Sequence, residues 1–318
     1  MRYITAILLL FTSLVALAQD GFEKKVFIKD GDSLNYQILL PRNFDKNKQY
    51  PLVLFLHGSG ERGNDNESQL VHGSKVFLDE GNRAAFPAVV VFPQCPKDSY
   101  WANVDVDRSV MPLGFKFNPD AAPTKAMQGV LDLVDGLLAQ AFIKKDQIYV
   151  AGLSMGGMGT YELLSRKPET FAAAIAICGG GSTSLVQKYA LNTPMWVLHG
   201  AQDNVVTPQH SLDMVSALLD AGAVNILQPD IGWAGGLTEM AKICALASAY
   251  GIPVVPHHGW IASTQLIASQ SLRLLSKEST CSQSLRILES ALVELVNKAL
   301  DLMGRNMMQV IAAETDAV

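Results

Sequence analysis

Residues 147–164, QIYVAGLSMGGMGTYELL, decide how this chain is read. QIYVAGLS (147–154) is near-continuously apolar at its centre, the pattern of a strand buried on both faces of a parallel sheet. Gly152-Leu153-Ser154-Met155-Gly156 then matches G-x-S-x-G, and a helical pattern follows it. A sharp strand-to-helix turn at this point lifts the Ser154 hydroxyl above the sheet. The flanking glycines are needed because a Cβ would clash in so tight a turn. The helix start brings backbone amides and a positive dipole end to the place where negative charge would develop. The bland alternative is a glycine-rich turn with an idle serine. Agreement of strand, motif and helix argues against it.

Outward from this turn the elements alternate. Residues 24–29 and 34–40 read as a hairpin turned by Asp30-Gly31-Asp32. PLVLFLHG (51–58), AVVVFPQ (88–94), AAAIAICGG (172–180) and PMWVLHGAQD (194–203) read as further buried strands, and VNILQP (224–229) as another. Helical patterns fall at 125–141, after Ser154 and at 209–221. The expected fold is α/β: an open, doubly wound, mostly parallel central sheet with helices on both faces. Its chemistry belongs in the loops after the C-terminal strand ends. Residues 95–124 have no clear elements. A stretch of that length is often functional, and Tyr100, Trp101 and Phe115 in it are expected pocket walls.

Two such loops carry candidate residues. His57-Gly58-Ser59-Gly60-Glu61-Arg62-Gly63 follows the strand at 51–56. The Gly58 or Ser59 amide, paired with that of Met155, would make an oxyanion hole. A phosphate-binding loop would need Gly-Lys-Ser/Thr, which is absent. His57 precedes the serine, against the usual order for a catalytic base, so it reads as a structural brace. Asp203 lies past a strand end and after Ser154, where a residue orienting a catalytic histidine should stand. A simple turn aspartate is its bland alternative. His199 lies inside the strand end, a poor place from which to reach Ser154.

Composition agrees with a packed globular protein. Of 318 residues, 49% are hydrophobic and 17% charged, with 25 Lys+Arg against 30 Asp+Glu and a net charge of -5. That excludes a disordered chain and a dedicated nucleic-acid binder. The start, MRYITAILLLFTSLVALAQDG, reads as a signal peptide cut after Ala18. Its apolar run falls short of the roughly 20 residues of a spanning helix. A secreted or periplasmic protein is expected, off the membrane once the signal is removed. Cys95, Cys178, Cys244 and Cys281 lack zinc-like spacing.

Residues 20 to about 225 resemble the secreted α/β-hydrolases of the prolyl-oligopeptidase-like, carboxylesterase-like group, which includes feruloyl and acetylxylan esterases. PLVLFLHGSGERG, FPQCP, YWA, YVAGLSMGGMGTYELL, FAAAIAICGG and HGAQDNVV carry the resemblance. It implies an α/β-hydrolase fold and cleavage of a small-molecule or glycan-linked ester. Ser154 would be the nucleophile, Asp203 the acid and His57–Gly60 the oxyanion loop, with Trp101 lining the substrate pocket. No cofactor, metal or nucleic-acid partner is implied.

The resemblance then breaks. The family's histidine in a Gly-His context, some 30–40 residues past Asp203, is missing, since no His occurs between His210 and His257. Residues 225–258 instead resemble the enolase superfamily, most of all its acid-sugar dehydratase branch, in QPD, GGLTE and YGIPVVPH. That likeness would make Asp230 and His257 a proton-transfer dyad. The enolase reaction also needs three carboxylates for Mg²⁺ on earlier strands, which this chain replaces with hydrolase sequence. The expected organisation is a signal at 1–18, an incomplete hydrolase at 19–224, an enolase-like piece at 225–260 and a tail at 261–318. In the tail, Leu285, Leu288, Leu292, Leu295, Leu300 and Met303 recur at helical spacing. Such a helix would cover the sheet or a partner. His257, or failing it His258, is the candidate replacement base. The rival readings are a base-less hydrolase that only binds its ligand, and an acid-sugar dehydratase.

Overall fold

The computed structural model describes residues 21–200, 202–223, 237–249, 252 and 254. The expected signal at 1–18, the strand at 224–229, Asp230, His257, His258, Cys281 and the helical stripe at 284–303 lie outside the described residues.

Nine strands and six α-helices are described. In chain order they are β1 (Glu23–Lys29), β2 (Asp32–Leu39), β3 (Tyr50–Leu56), α1 (Ser74–Leu78), α2 (Glu80–Ala85), β4 (Val89–Pro93), β5 (Val104–Asp107), β6 (Gly114–Phe117), α3 (Lys125–Leu138), β7 (Ile143–Leu153), α4 (Met155–Arg166), β8 (Ala173–Ile177), β9 (Met195–Leu198), α5 (Pro208–Asp220) and α6 (Leu237–Ala249). Seven strands form one sheet in the order β1-β2-β4-β3-β7-β8-β9. β1 and β2 pair antiparallel, as do β2 and β4, and every other neighbour is parallel. This is the expected α/β-hydrolase architecture.

The pleat sorts each strand between two cores. Leu52, Leu54 and Leu56 of β3, with Ile148 and Val150 of β7, face the larger core under α3, α4 and α5. Phe55 of β3 with Val90 and Phe92 of β4 faces the smaller one, where Phe77 of α1 and Leu70 pack. Helix α3 shows why the sequence selects a helix there. Met127, Val130, Leu133, Val134 and Leu137 bury one face at i, i+3, i+4 spacing. Thr124 caps its start, accepting the Met127 amide at 3.1 Å, a contact worth about 1 kcal/mol.

Residues 95–124, expected to lack regular elements, contain the two-stranded hairpin β5–β6. Its alternation in Val104-Asp105-Val106-Asp107 is the period-2 signal of a half-buried strand. Val104, Phe115 and Phe117 pack on Met158 of α4 and on Val206. The Leu113 amide donates to the Val205 carbonyl at 3.1 Å. The hairpin is therefore tied to the chain just past Asp203.

Candidate active site

Ser154 stands between the end of β7 and the first residue of α4, with φ 55° and ψ −114°. A non-glycine residue at positive φ is strained, and the surroundings must hold it there. They do so by backbone contact. A Cβ on Gly152 would lie 2.1 Å from the Gly156 carbonyl oxygen, and one on Gly156 would lie 1.9 Å from that of Leu56. Any side chain at either position would drive α4 off the ends of β7 and β3. The Ser154 amide donates to the Ile177 carbonyl at 2.8 Å, and its carbonyl accepts from Met158 at 3.0 Å. Its hydroxyl has no hydrogen-bond partner among the described residues.

The loop after β3 runs beside this serine. A Cβ on Gly58 would be 3.9 Å from the Ser154 Cβ. Gly58 is buried and Ser59 half-buried. Met155 opens α4, so its amide is one of the unpaired donors of a helix start. Gly58, Ser59 and Met155 are thus gathered around Ser154.

His57 is wholly buried. Its Nε2 accepts the Cys95 amide at 2.9 Å, so the proton sits on Nδ1, which donates to the Gly58 carbonyl at 2.6 Å. Burial holds its pKa below the ordinary value, against the pull of the Gly58 carbonyl and Glu61. The neutral ring links the loop to the end of β4, a structural role. Trp101 departs from the expectation that it lines the substrate pocket. It is 0% exposed. Its indole N–H donates to the His57 carbonyl at 3.1 Å, and its side chain lies against Gly159 of α4. An amphipathic ring buried with its N–H satisfied supports the loop from beneath and offers no face to a ligand. Tyr100 stays half-buried beside it, with Arg62 5.9 Å from its ring centre.

On the other flank, Asp203 Oδ1 accepts the amides of Val205 at 2.9 Å and Val206 at 3.0 Å. Its Oδ2 lies 3.5 Å from His199 Nε2. Burial acts to raise its pKa, but His199 and the two amides outweigh burial and leave it below the usual carboxylate range. His199 itself is committed. Its Nε2–H donates to the Val206 carbonyl at 2.8 Å, and Nδ1 meets Ser211 Oγ at 2.7 Å. Between the flanks lies Cys178. Burial and then the Asp203 charge push its thiol up to about 12, although the Ser154 amide pulls the other way. Such a thiol is inert as a nucleophile near neutral pH. Cys95, Cys178 and Cys244 are all free. His210 on α5 sits edge-on to Phe115 and Phe117, with ring centres 5.4 and 6.1 Å away. Burial holds it below its ordinary pKa. The expected helix at 209–221 contains His210, but no element is expected over 95–124, so the sequence alone does not bring His210 to Phe115 and Phe117. Among the described residues no group of three or more His, Cys, Asp or Glu is placed to hold a metal ion. No helix among them is long and apolar enough to cross a membrane.

Two family models match the chain. Residues 208–302 match the enolase C-terminal domain-like family, overlapping the esterase match described below. An L-rhamnonate dehydratase of Saccharopolyspora erythraea is 45% identical over 53 residues, 17% of this chain and 14% of that protein. A Caldivirga maquilingensis relative named for the same dehydration is 60% identical over 40 residues, 13% of this chain and 10% of that one. The chain therefore spans a small fraction of these proteins. The chain carries a fused enolase-superfamily fragment. A solved thermostable esterase superposes with a TM-score of 0.57 at 30% identity, over 81% of this chain and 62% of that one. Residues 30–231, well over half of the chain and including Ser154 and both of its flanks, match the esterase family model, and the chain belongs to that family.

Proposed function

We propose that this protein is a serine hydrolase of carboxylic esters acting through an acyl-enzyme. The reading rests on the backbone of Ser154, held at φ 55° where β7 meets α4 by glycines that leave no room for a Cβ. Strain maintained by so much surrounding structure marks a working residue. Ser154 Oγ attacks the ester carbonyl. The amides of Met155 and of Gly58 or Ser59 hold the oxyanion, the alcohol leaves, and water then releases the acid. Asp203 orients the base.

His57 and His199 are each spent on two hydrogen-bond partners. The base is therefore assigned to His257, which follows Asp203 in chain order, with His258 beside it as the alternative. The substrate is a small-molecule or glycan-linked ester of the feruloyl or acetylxylan kind. The protein acts outside the cytoplasm, and the exported form begins at Gln19 after cleavage at Ala18, which N-terminal sequencing checks.

The test is turnover of p-nitrophenyl acetate. Wild-type turnover should stand far above that of Ser154→Ala and disappear in His257→Ala. Equal rates in all three proteins would sink the reading. One observation favours a second reading. Asp203 is already satisfied by His199 and two amides, as it would be in a hydrolase that keeps its fold and binds ligands without a base. Ligand binding to Ser154→Ala and wild type alike, with no turnover in either, would establish it. Mg²⁺-dependent dehydration of an aldonate would revive the dehydratase.

A further inference from the structure

The loop that faces Ser154 is pinned on several sides. Arg62 Nε donates to the Ser59 carbonyl at 3.0 Å, and its Nη1 donates to the Lys97 and Ser99 carbonyls at 3.2 Å each. The Gly63 amide donates to the Cys95 carbonyl at 2.9 Å. The Glu61 side chain is held differently. A single 3₁₀ turn over Ser59–Glu61 brings its carboxylate back against Gly58. A Cβ on Gly58 would lie 3.0 Å from Glu61 Oε2 and 3.9 Å from Ser154 Cβ, so the carboxylate and the nucleophile converge on one point of this glycine. Oε2 is buried without a hydrogen-bond partner among the described residues, with His57 Nδ1 3.9 Å away. The other oxygen, Oε1, lies 3.5 Å from His72 Nε2. Burial acts to raise the Glu61 pKa, but His72, then His57 and the Glu61 amide, outweigh it and hold the group below its ordinary value. A Cβ on Gly73, at φ 79°, would meet the Phe55 ring of β3 at 2.9 Å, so the turn that carries His72 is seated on the sheet.

A carboxylate buried with one oxygen unpaired is destabilising, and an uncharged side chain would fill the same space without that cost. Such a group calls for a role beyond packing. We propose that Glu61, fixed by His72, is a positioning residue that braces Gly58 so that the Gly58 and Ser59 amides stay aimed at the oxyanion. The assignment rests on the esterase reading, which makes those amides the donors. Oxyanion stabilisation depends on donors set in place before the reaction, and a small misplacement lowers the rate steeply. Glu61 acts through Gly58 and not on the substrate. Its partner His72 anchors it to the turn seated on β3, so the loop is tied to the sheet that also carries Ser154.

The test uses the full-length protein and two probes. p-Nitrophenyl acetate reads turnover. Phenylboronic acid reads the oxyanion hole without turnover, because Ser154 Oγ adds to boron and a boron oxygen then takes the place of the oxyanion. Glu61→Gln keeps the volume and removes the charge. It should lower kcat about tenfold with KM changed less than about twofold, and weaken phenylboronic acid binding about tenfold, at a urea midpoint near that of wild type. His72→Gln should reproduce both losses, and the double variant should be no worse than either single one. Losses that multiply in the double variant, a raised KM at constant kcat, or unchanged kcat and boronate affinity overturn the proposal. The His72 side chain is 25% exposed, so His72→Gln decides the matter if Glu61→Gln does not fold. Wild-type turnover that Glu61→Gln leaves intact removes the brace and spares the esterase reading. No wild-type turnover, with boronate binding that Ser154→Ala abolishes and Glu61→Gln weakens, removes the esterase reading and spares the brace. Neither turnover nor boronate binding in wild type removes both.

Discussion

Two strand ends in this molecule have the same local sequence, a histidine followed by glycine, and each flanks Ser154. At the end of β3, His57 is wholly buried and joins the Gly58 carbonyl to the Cys95 amide. At the end of β9, His199 joins the Val206 carbonyl to Ser211 and lies against Asp203. The first histidine shapes the loop that faces the serine, and the second holds the loop that carries the acid. Both bring the right chemical group to the edge of the site, and both are already spent on scaffolding. An imidazole at a strand end beside the site is therefore not by itself a base. Its ring nitrogens must also be free.

The largest expected effect comes from removing what both flanks serve. Ser154→Ala should lower ester turnover by at least about a hundredfold while leaving the thermal midpoint nearly unchanged. Asp203→Asn should come next, with turnover down about tenfold or more because the acid can no longer stabilise a cationic base. Its folding free energy should fall by only about 1 kcal/mol, because the Asn side-chain oxygen can still accept the Val205 and Val206 amides. Urea titration and steady-state kinetics on the same preparation separate the two. The comparison breaks if Asp203→Asn retains full turnover.

The histidine pair itself should split by stability. His57→Ala leaves the Cys95 amide without its acceptor and opens a cavity beneath Gly58, so a loss of about 3 kcal/mol is expected in urea unfolding. His199→Asn, at a half-buried position, should cost about 1–2 kcal/mol and retain most of the turnover. Turnover as low as that of Ser154→Ala, with stability intact, would make His199 the base and end the distinction.

The smallest effect is on pH dependence. The folded state holds His57 below its ordinary 6.5 because burial disfavours the charged ring. Below that value the unfolded chain binds the proton more readily, so stability rises with pH across this window. The His57 contribution should be fully present above about 6.5 and decline as pH falls through the lower folded-state value. His57→Gln should flatten this part of the profile. An unchanged slope would mean that the ring is not the group responsible.

The glycine-locked turn was legible because its signal is local, although the carbonyls of Leu56 and Ile177 that help to hold it are distant in sequence. Gly152, Ser154 and Gly156 lie within five residues, and the apolar run before them and the helical pattern after them set their backbone. Strands β3, β4, β7 and β8 were legible for the same reason, as short apolar runs between turn signals, and so was β9, although it is half-buried along its whole length instead of buried. Hairpin β5–β6 was missed although its alternation was present, because two four-residue strands seem weak until Met158 and Val206 receive them. Trp101 was misread because an aromatic residue in a long loop fits a pocket wall and a buried brace equally well. Its neighbours His57 and Gly159 are distant in sequence.

By itself, then, the sequence determined the strand-serine-helix turn, the order of the strands along the chain and the change of ancestry between its hydrolase and enolase-like parts. Each follows from residue type over a few neighbouring positions: steric room, apolar runs and contiguous motif. Tertiary structure alone decided that His57 and His199 are committed to the scaffold. It also decided that Trp101 supports the loop. Those outcomes depend on which groups distant in sequence meet across the sheet, and a hydrogen bond such as that from Cys95 to His57 leaves no trace in local pattern.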